Sequence, residues 1–206
     1  MHENHVAKFD QETSLENHEP PFLTRVSSVL RDTMKIELAD IIDLLNRTPR
    51  ALKELLHGLP KTWTESNEGE STWSPFDVIG HLIHGERVNW IPRAKMILEF
   101  GERKVFEPFD RFAQFDASQG KTITTLLEEF ESIRQENICT LKDMNLTLED
   151  LQKFGHHPEF GRVTLGELLS TWAAHDLDHL VQISRTLAKG YQQAVGPWRA
   201  FLSVMK

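Results

Sequence analysis

A chain of 206 residues suits one domain, and 39% hydrophobic residues, with five Trp and twelve Phe, are enough for a real core. The acidic excess, 31 Asp and Glu against 23 Lys and Arg for a net charge of −8, argues against nucleic acid or an anionic membrane as partner, since both need clustered cations. A single cysteine excludes an intramolecular disulfide and a Cys-rich zinc knuckle, and no apolar run approaches the roughly 20 residues that span a bilayer.

Residues 1–21 are polar and acidic, lack the apolar core of a signal peptide and close on Pro20-Pro21. They read as a mobile extension of a cytoplasmic protein, with His2, His5 and His18 as solvated tail residues. From Phe22 the pattern turns helical through Val26, Val29 and Leu30, and again through Ile41, Leu44 and Leu45. Thr48-Pro49 reads as a helix restart, Thr as cap and Pro at the first helical position. Leu52, Leu55 and Leu56 follow, and Gly58-Leu59-Pro60 stops the segment.

Residues 61–72 read as a loop. Ser74, Pro75 and Asp77 form a capping box that opens a second helix, which runs to about Phe100 with a kink at Pro92 and a cap at Gly101. Segment 101–120 reads as a structured loop. A third helix over about Thr122–Met144 carries Leu126, Leu127, Phe130, Ile133, Ile138 and Leu141, with Cys139 expected buried and inert. A His-, Pro- and Gly-rich loop over 155–163 leads to a second capping box, Thr164 with Glu167. The fourth helix then reaches Lys189, ended by Gly190, and Pro197–Met205 reads as a last helical turn or two. Four long amphipathic segments with no clear alternating stretch predict an all-α protein, an antiparallel four-helix bundle with an extra N-terminal helical segment. The connection of ~20 residues between helices two and three permits a crossover as well as a simple antiparallel turn.

Helix four contains His175-Asp176-Leu177-Asp178-His179, two histidines about 40° apart on one face and one turn from each other. Such a pair grips a transition metal, since imidazole suits zinc, copper, iron and nickel. The stripe also holds Leu168 and Trp172, so the pair points to the core. Helix two offers a third ligand, but His81 and His84 sit only about 60° apart and periodicity leaves both open. Gln182, three residues after His179, lies on the same face. Asp176 and Asp178 read as solvent-facing or tied to a neighbouring Arg or Lys. Glu86 faces a neighbouring stripe, and Trp73, Trp172 and Phe112 are candidates for a pocket wall or for the core. His175-Asp176-x-x-His179 has the spacing of a metalloprotease helix, yet Asp is a methylene shorter than the usual Glu base, and a protease is disfavoured.

Three ordered stretches resemble the DinB-like superfamily. They are Trp73-Ser74-Pro75-Phe76-Asp77-Val78-Ile79-Gly80-His81-Leu82, the lead-in His157-Pro158-Glu159-Phe160-Gly161 with Thr164-Leu165-Gly166-Glu167, and Trp172-Ala173-Ala174-His175-Asp176-Leu177-Asp178-His179. The resemblance covers about Met34 to Ala188 and implies a bundle of the DinB/YfiT type, so that 34–206 is the metal-binding domain and 1–33 an extension. Residues 1–33 are then either a real extension or the result of an upstream start in place of Met34. By resemblance His81, His175 and His179 bind one divalent metal ion, zinc or nickel first and iron or manganese after them. His84 and Gln182 would stand behind them, and no catalytic residue is assigned. The superfamily is similar to bacillithiol and mycothiol S-transferases and to thiol-dependent maleylpyruvate isomerases. That likeness implies a transferase that activates a low-molecular-weight thiol cosubstrate for attack on a small electrophile, and a homodimer. Hydrolysis of a small substrate is the alternative, and metal binding without turnover stays open as a third class. Affinity for metal should fall as pH drops through ~6.5, because ligating imidazoles must be neutral. Segments 101–120 and 155–163 are the candidates for closing the site.

Overall fold

Capping side chains set the ends of the long helices. The computed structural model describes residues 37–206; the expected extension over 1–33 and the helical pattern from Phe22 lie outside the described residues. Helix α1 (Leu38–Leu56) is followed by the short α2 (Lys61–Thr64), then by α3 (Pro75–Val88) and α4 (Trp90–Phe100). Next come α5 (Ala113–Ser118), α6 (Ile123–Asp143) and α7 (Leu148–Leu151), the strands β1 (Phe154–His157) and β2 (Gly161–Thr164), and α8 (Leu165–Lys189). Ser74 with Asp77 caps α3 and Thr164 with Glu167 caps α8 as capping boxes, while Thr122 accepts from Thr125 N at the start of α6. Two 3-10 turns, Gly196–Phe201 and Ser203–Met205, end the chain. No helix among the described residues is long and apolar enough to cross a membrane.

Six expectations change. Segments 61–72 and 101–120, read as loops, hold the short helices α2 and α5. Pro49 does not restart a helix but lies buried inside α1, and Thr48 Oγ1 donates back to Leu44 O at 3.3 Å. A proline deprives the carbonyl four residues earlier, here Leu45 O, of its partner. Arg134 Nη1 on α6 supplies the missing donor at 3.1 Å, so the helix runs on. The second helix, by contrast, breaks at Asn89 (φ −104°, ψ −71°), one turn ahead of Pro92. A proline ring collides with the carbonyl four residues back, and the helix ends there. The loop over 155–163 contains a hairpin in which Phe154 pairs with Thr164 and His157 with Gly161. Gly155 lets it lie on α4, because a Cβ there would stand 2.6 Å from Ile97 Cγ1. Cys139 is exposed: it lies about 100° around α6 from the inward-facing Ile138.

The bundle helices are α1, α3 with its continuation α4, α6 and α8. Around the bundle α1 packs on α6, α6 on α3, α3 on α8 and α8 on α1, so α1 and α3 lie across one diagonal and α6 and α8 across the other. Ile41 and Leu45 group with Ile138 and Leu141, whereas Leu52 and Leu56 group with Leu126, Leu127 and Phe130, so α1 and α6 are antiparallel. Val78 and Ile79 share that second cluster, while Glu86 further along α3 reaches Arg134 and Asn137; α3 and α6 therefore run in the same direction. The long connection through α5 makes this crossover. Its close seat is at Gly80, where a Cβ would stand 2.5 Å from Ser118 Oγ. α3 and α8 are antiparallel, because His81 meets His175 while Glu86 meets Trp172.

A polar layer separates the two apolar clusters. Arg134, only 1% exposed, donates through Nη2 to Glu86 Oε1 (2.8 Å) and through both terminal nitrogens to Asp176 (2.5 and 3.0 Å). Asn137 Nδ2 and Trp172 Nε1 also donate to the Glu86 carboxylate, at 2.9 and 2.8 Å. Asp176 is thus buried and tied to an arginine, while Asp178 is exposed. Burial opposes the Arg134 charge, but the Asp176 and Glu86 carboxylates outweigh it and hold the guanidinium above its ordinary pKa.

Candidate metal centre

α3 and α8 bring the His81, His175 and His179 side chains together just beside this polar layer. His81 Nε2 lies 3.3 Å from His175 Nε2, and His179 Nε2 lies 3.1 Å from the same atom. Among the described residues this is the one group of three or more His, Cys, Asp or Glu side chains that could hold a metal ion, its ligand atoms all within 4.8 Å of one another. His81 and His179 are each 7% exposed. Gln182 Oε1 accepts from His179 Nδ1 at 2.8 Å, which fixes the tautomer and leaves the Nε2 lone pair turned to the other rings. The Nδ1 atoms of His81 and His175 are buried and have no partner among the described residues.

Three converging lone pairs repel one another unless something positive lies between them. Tetrahedral coordination with bonds of about 2.0–2.1 Å puts ligand nitrogens ~3.3 Å apart, close to the separations seen here. The residues therefore fit a divalent ion. Proton occupancy is disfavoured: burial first, then the His179 and His175 charges, pushes the His81 pKa down to about 3. Burial and His179 bring His175 to about 4. Burial lowers His179 as well, against the opposing Gln182 hydrogen bond and Asp178 charge. All three rings are neutral at physiological pH, the form that ligates.

Aromatic rings wall the triad. Trp73 and Phe109 stand 4.7 and 5.5 Å from the His81 ring, and Trp90 stands 5.2 Å from His175. Trp90 in turn stacks on the fully buried Trp172 at 5.8 Å, so the wall is backed by the core. His84 packs on Phe109 at 5.0 Å and stays outside the triad; no hydrogen bond joins it to the three rings among the described residues. Phe112 is exposed and faces a cleft with Trp73.

Two cavities reach the histidines. One, of about 290 Å³, is lined by His81 and His175 together with Trp90, Arg93, Phe109 and His157. The other, an open cleft, is lined by His179 and Gln182 with Trp73, Phe112 and Phe115. Arg111 borders both, so segment 101–120 and the hairpin supply walls. Sequence reasoning did not single out Arg93 or Arg134. Each is a lone cation on an otherwise apolar stripe, Trp90/Arg93/Ile97 and Phe130/Arg134/Ile138, and that break in pattern was the available signal.

A family model described as the DinB superfamily matches residues 44–183. The chain is 24% identical over 144 residues, 69% of its own length and 81% of the other's, to an Oceanobacillus iheyensis protein named "Putative metal-dependent hydrolase". It also resembles the solved structure of YfiT from Bacillus subtilis, described as "a probable metal-dependent hydrolase with an unusual four-helix bundle topology". The TM-score is 0.63 at 20% identity, covering 75% of this chain and 90% of that one, and this likeness speaks to the fold.

Proposed function

The chain belongs to the DinB superfamily, and from that premise we propose that His81, His175 and His179 hold one divalent ion, zinc or nickel before iron or manganese. At this centre a low-molecular-weight thiol is activated for attack on a small electrophile. The observation that carries the reading is the pair of cavities: one reaches His81 and His175, the other His179, so two small molecules have separate approaches to one centre. Three protein ligands are the number that catalytic sites use while keeping a coordination position open. When bound, such an ion supplies Lewis acidity that lowers the pKa of a thiol or water at that position.

The chain's own residues do the rest. Gln182 holds the His179 ring in its ligating tautomer, and the Trp73, Trp90 and Phe109 rings pack against the triad and fix its apolar flank. Arg134 ties Asp176, next to His175, to α3 through Glu86, which fixes α8 against the helix that carries His81. The same reading puts the protein in the cytoplasm, where small thiols are kept reduced. Hydrolysis is the second reading, favoured by the metal-dependent hydrolase names of the two similar proteins.

Cobalt substitution separates the two. Adding L-cysteine or 2-mercaptoethanol to the cobalt-loaded protein should produce a sulfur-to-cobalt charge-transfer band and shift the visible spectrum. A spectrum indifferent to thiol removes the transferase reading and leaves hydrolysis.

A further inference from the structure

Arg93 on α4 is a buried cation without a buried anion. It is 7% exposed, yet among the described residues no carboxylate pairs with it, whereas Arg134, the other buried arginine, holds two. Its guanidinium lies 5.0 Å over the Phe106 ring, and Nη2 donates to the Glu107 carbonyl at 2.9 Å. A guanidinium has five N–H donors and stays charged inside proteins, so a single carbonyl leaves most of the fork unused. Burial works against this charge, and no carboxylate among the described residues offsets it.

That side chain lines the same 290 Å³ cavity as His81 and His175. His157 joins it there. The His157 Nδ1 accepts from the backbone N–H of Glu159 and Phe160 at 3.2 and 3.3 Å, so the proton of the neutral ring sits on Nε2, a second donor. Both side chains border one ring, since His157 meets Phe106 edge-on at 6.1 Å. The carboxylate on the cavity wall, Glu167, is already taken by Thr164 N and Oγ1 in the α8 cap. Trp90 and Phe109, packed against His175 and His81, add aromatic wall to the same cavity.

We propose that this cavity binds a small carboxylate-bearing molecule with an apolar body, its carboxylate on Arg93 and its far end at the histidine triad. The proposal rests on the reading of the triad as the reaction centre and names the electrophile's class: an unsaturated or aromatic acid of a size for one small ligand. A planar fork presents paired N–H groups to a carboxylate, which a lysine cannot reproduce.

The test is calorimetric titration of 3-phenylpropionate, its neutral amide 3-phenylpropanamide, and inorganic phosphate into the metal-loaded protein. The acid should bind at least about tenfold more tightly than the amide. Arg93→Gln should weaken the acid about tenfold and leave the amide unchanged. Arg93→Lys, which keeps the charge and serves if the Gln variant does not fold, should weaken the acid severalfold. The acid should still bind metal-stripped wild-type protein, so a failed metal assignment would leave this result standing. Equal binding of the acid to wild type and Arg93→Gln overturns the proposal. So does acid binding that needs metal but not Arg93, binding of phosphate in place of the acid, or no binding of the acid at all.

Discussion

Gln182 accepts from His179 Nδ1 and bonds to no other ring of the triad, which makes it a clean probe. Replacing it with Leu removes the acceptor for His179 Nδ1 while keeping the volume. Partners of this kind typically affect metal affinity 10–100-fold, so Gln182→Leu should weaken zinc binding by about that factor with an unchanged circular dichroism spectrum. Unaltered affinity would show that the His179 tautomer is set elsewhere. Arg134 carries a larger consequence. Arg134→Met leaves Glu86 and Asp176 as two buried carboxylates without a cation and strips Leu45 O of the donor that Pro49 denies it. Breaking a buried pair from one side costs about 3–5 kcal/mol, and urea unfolding should register a loss of that order. A loss under about 1 kcal/mol would mean the layer is wetter than its burial indicates.

At the scale of elements, Gly80 sets how closely α5 can approach α3. Gly80→Ala should destabilise by about 1 kcal/mol despite alanine's better helix propensity, because the new Cβ meets Ser118 Oγ. In a Ser118→Ala background the nearest atoms retreat to 3.5 and 3.6 Å, and the same substitution should become neutral or stabilising. Identical effects in both backgrounds would contradict the packing argument. What was legible at this scale is what depends on neighbours in sequence. The Ser74 and Thr164 capping boxes each act within three residues, and they mark helix starts as read. What was not legible depends on distant partners. Pro49 stays helical because Arg134 reaches Leu45 O from 89 positions further along the chain, and a helix period read alone had to treat it as a restart. The hairpin strands are four residues each, too short for an alternating pattern, and its packing is decided by contact with Ile97 and Phe106.

At the scale of the molecule, placing α6 diagonally opposite α8 is what puts α3 beside α8 and so gathers the histidines. The spacing of His175 and His179 was visible in the chain, but the choice between His81 and His84 needed the family resemblance. The structure shows the physical reason: His81 turns to α8, while His84 turns to Phe109. The same gathering has a pH signature. In unfolded chain the imidazoles titrate near 6.5, whereas burial holds His81 near about 3 and His175 near about 4. Below pH 6.5 the unfolded state therefore binds more protons than the folded one, and stability falls as pH falls. Metal-stripped protein should be at full stability above ~6.5 and lose a few kcal/mol between there and about 4. Thermal melts across that range check this; a flat melting temperature from 7 to 4 would contradict buried neutral rings. Competition by protons for the folded site is likewise displaced below the ~6.5 that free imidazole implies.

The most direct test of the central claim is metal content, measured by inductively coupled plasma mass spectrometry on tag-free wild type and on the His81→Ala and His175→Ala variants. The account predicts about one divalent ion per chain in the wild type, little or none in either variant, and lower melting temperatures for both, because the ion bridges α3 and α8. Wild-type protein that takes up no metal after reconstitution, or variants that keep it, would contradict the account and reduce the triad to packing side chains.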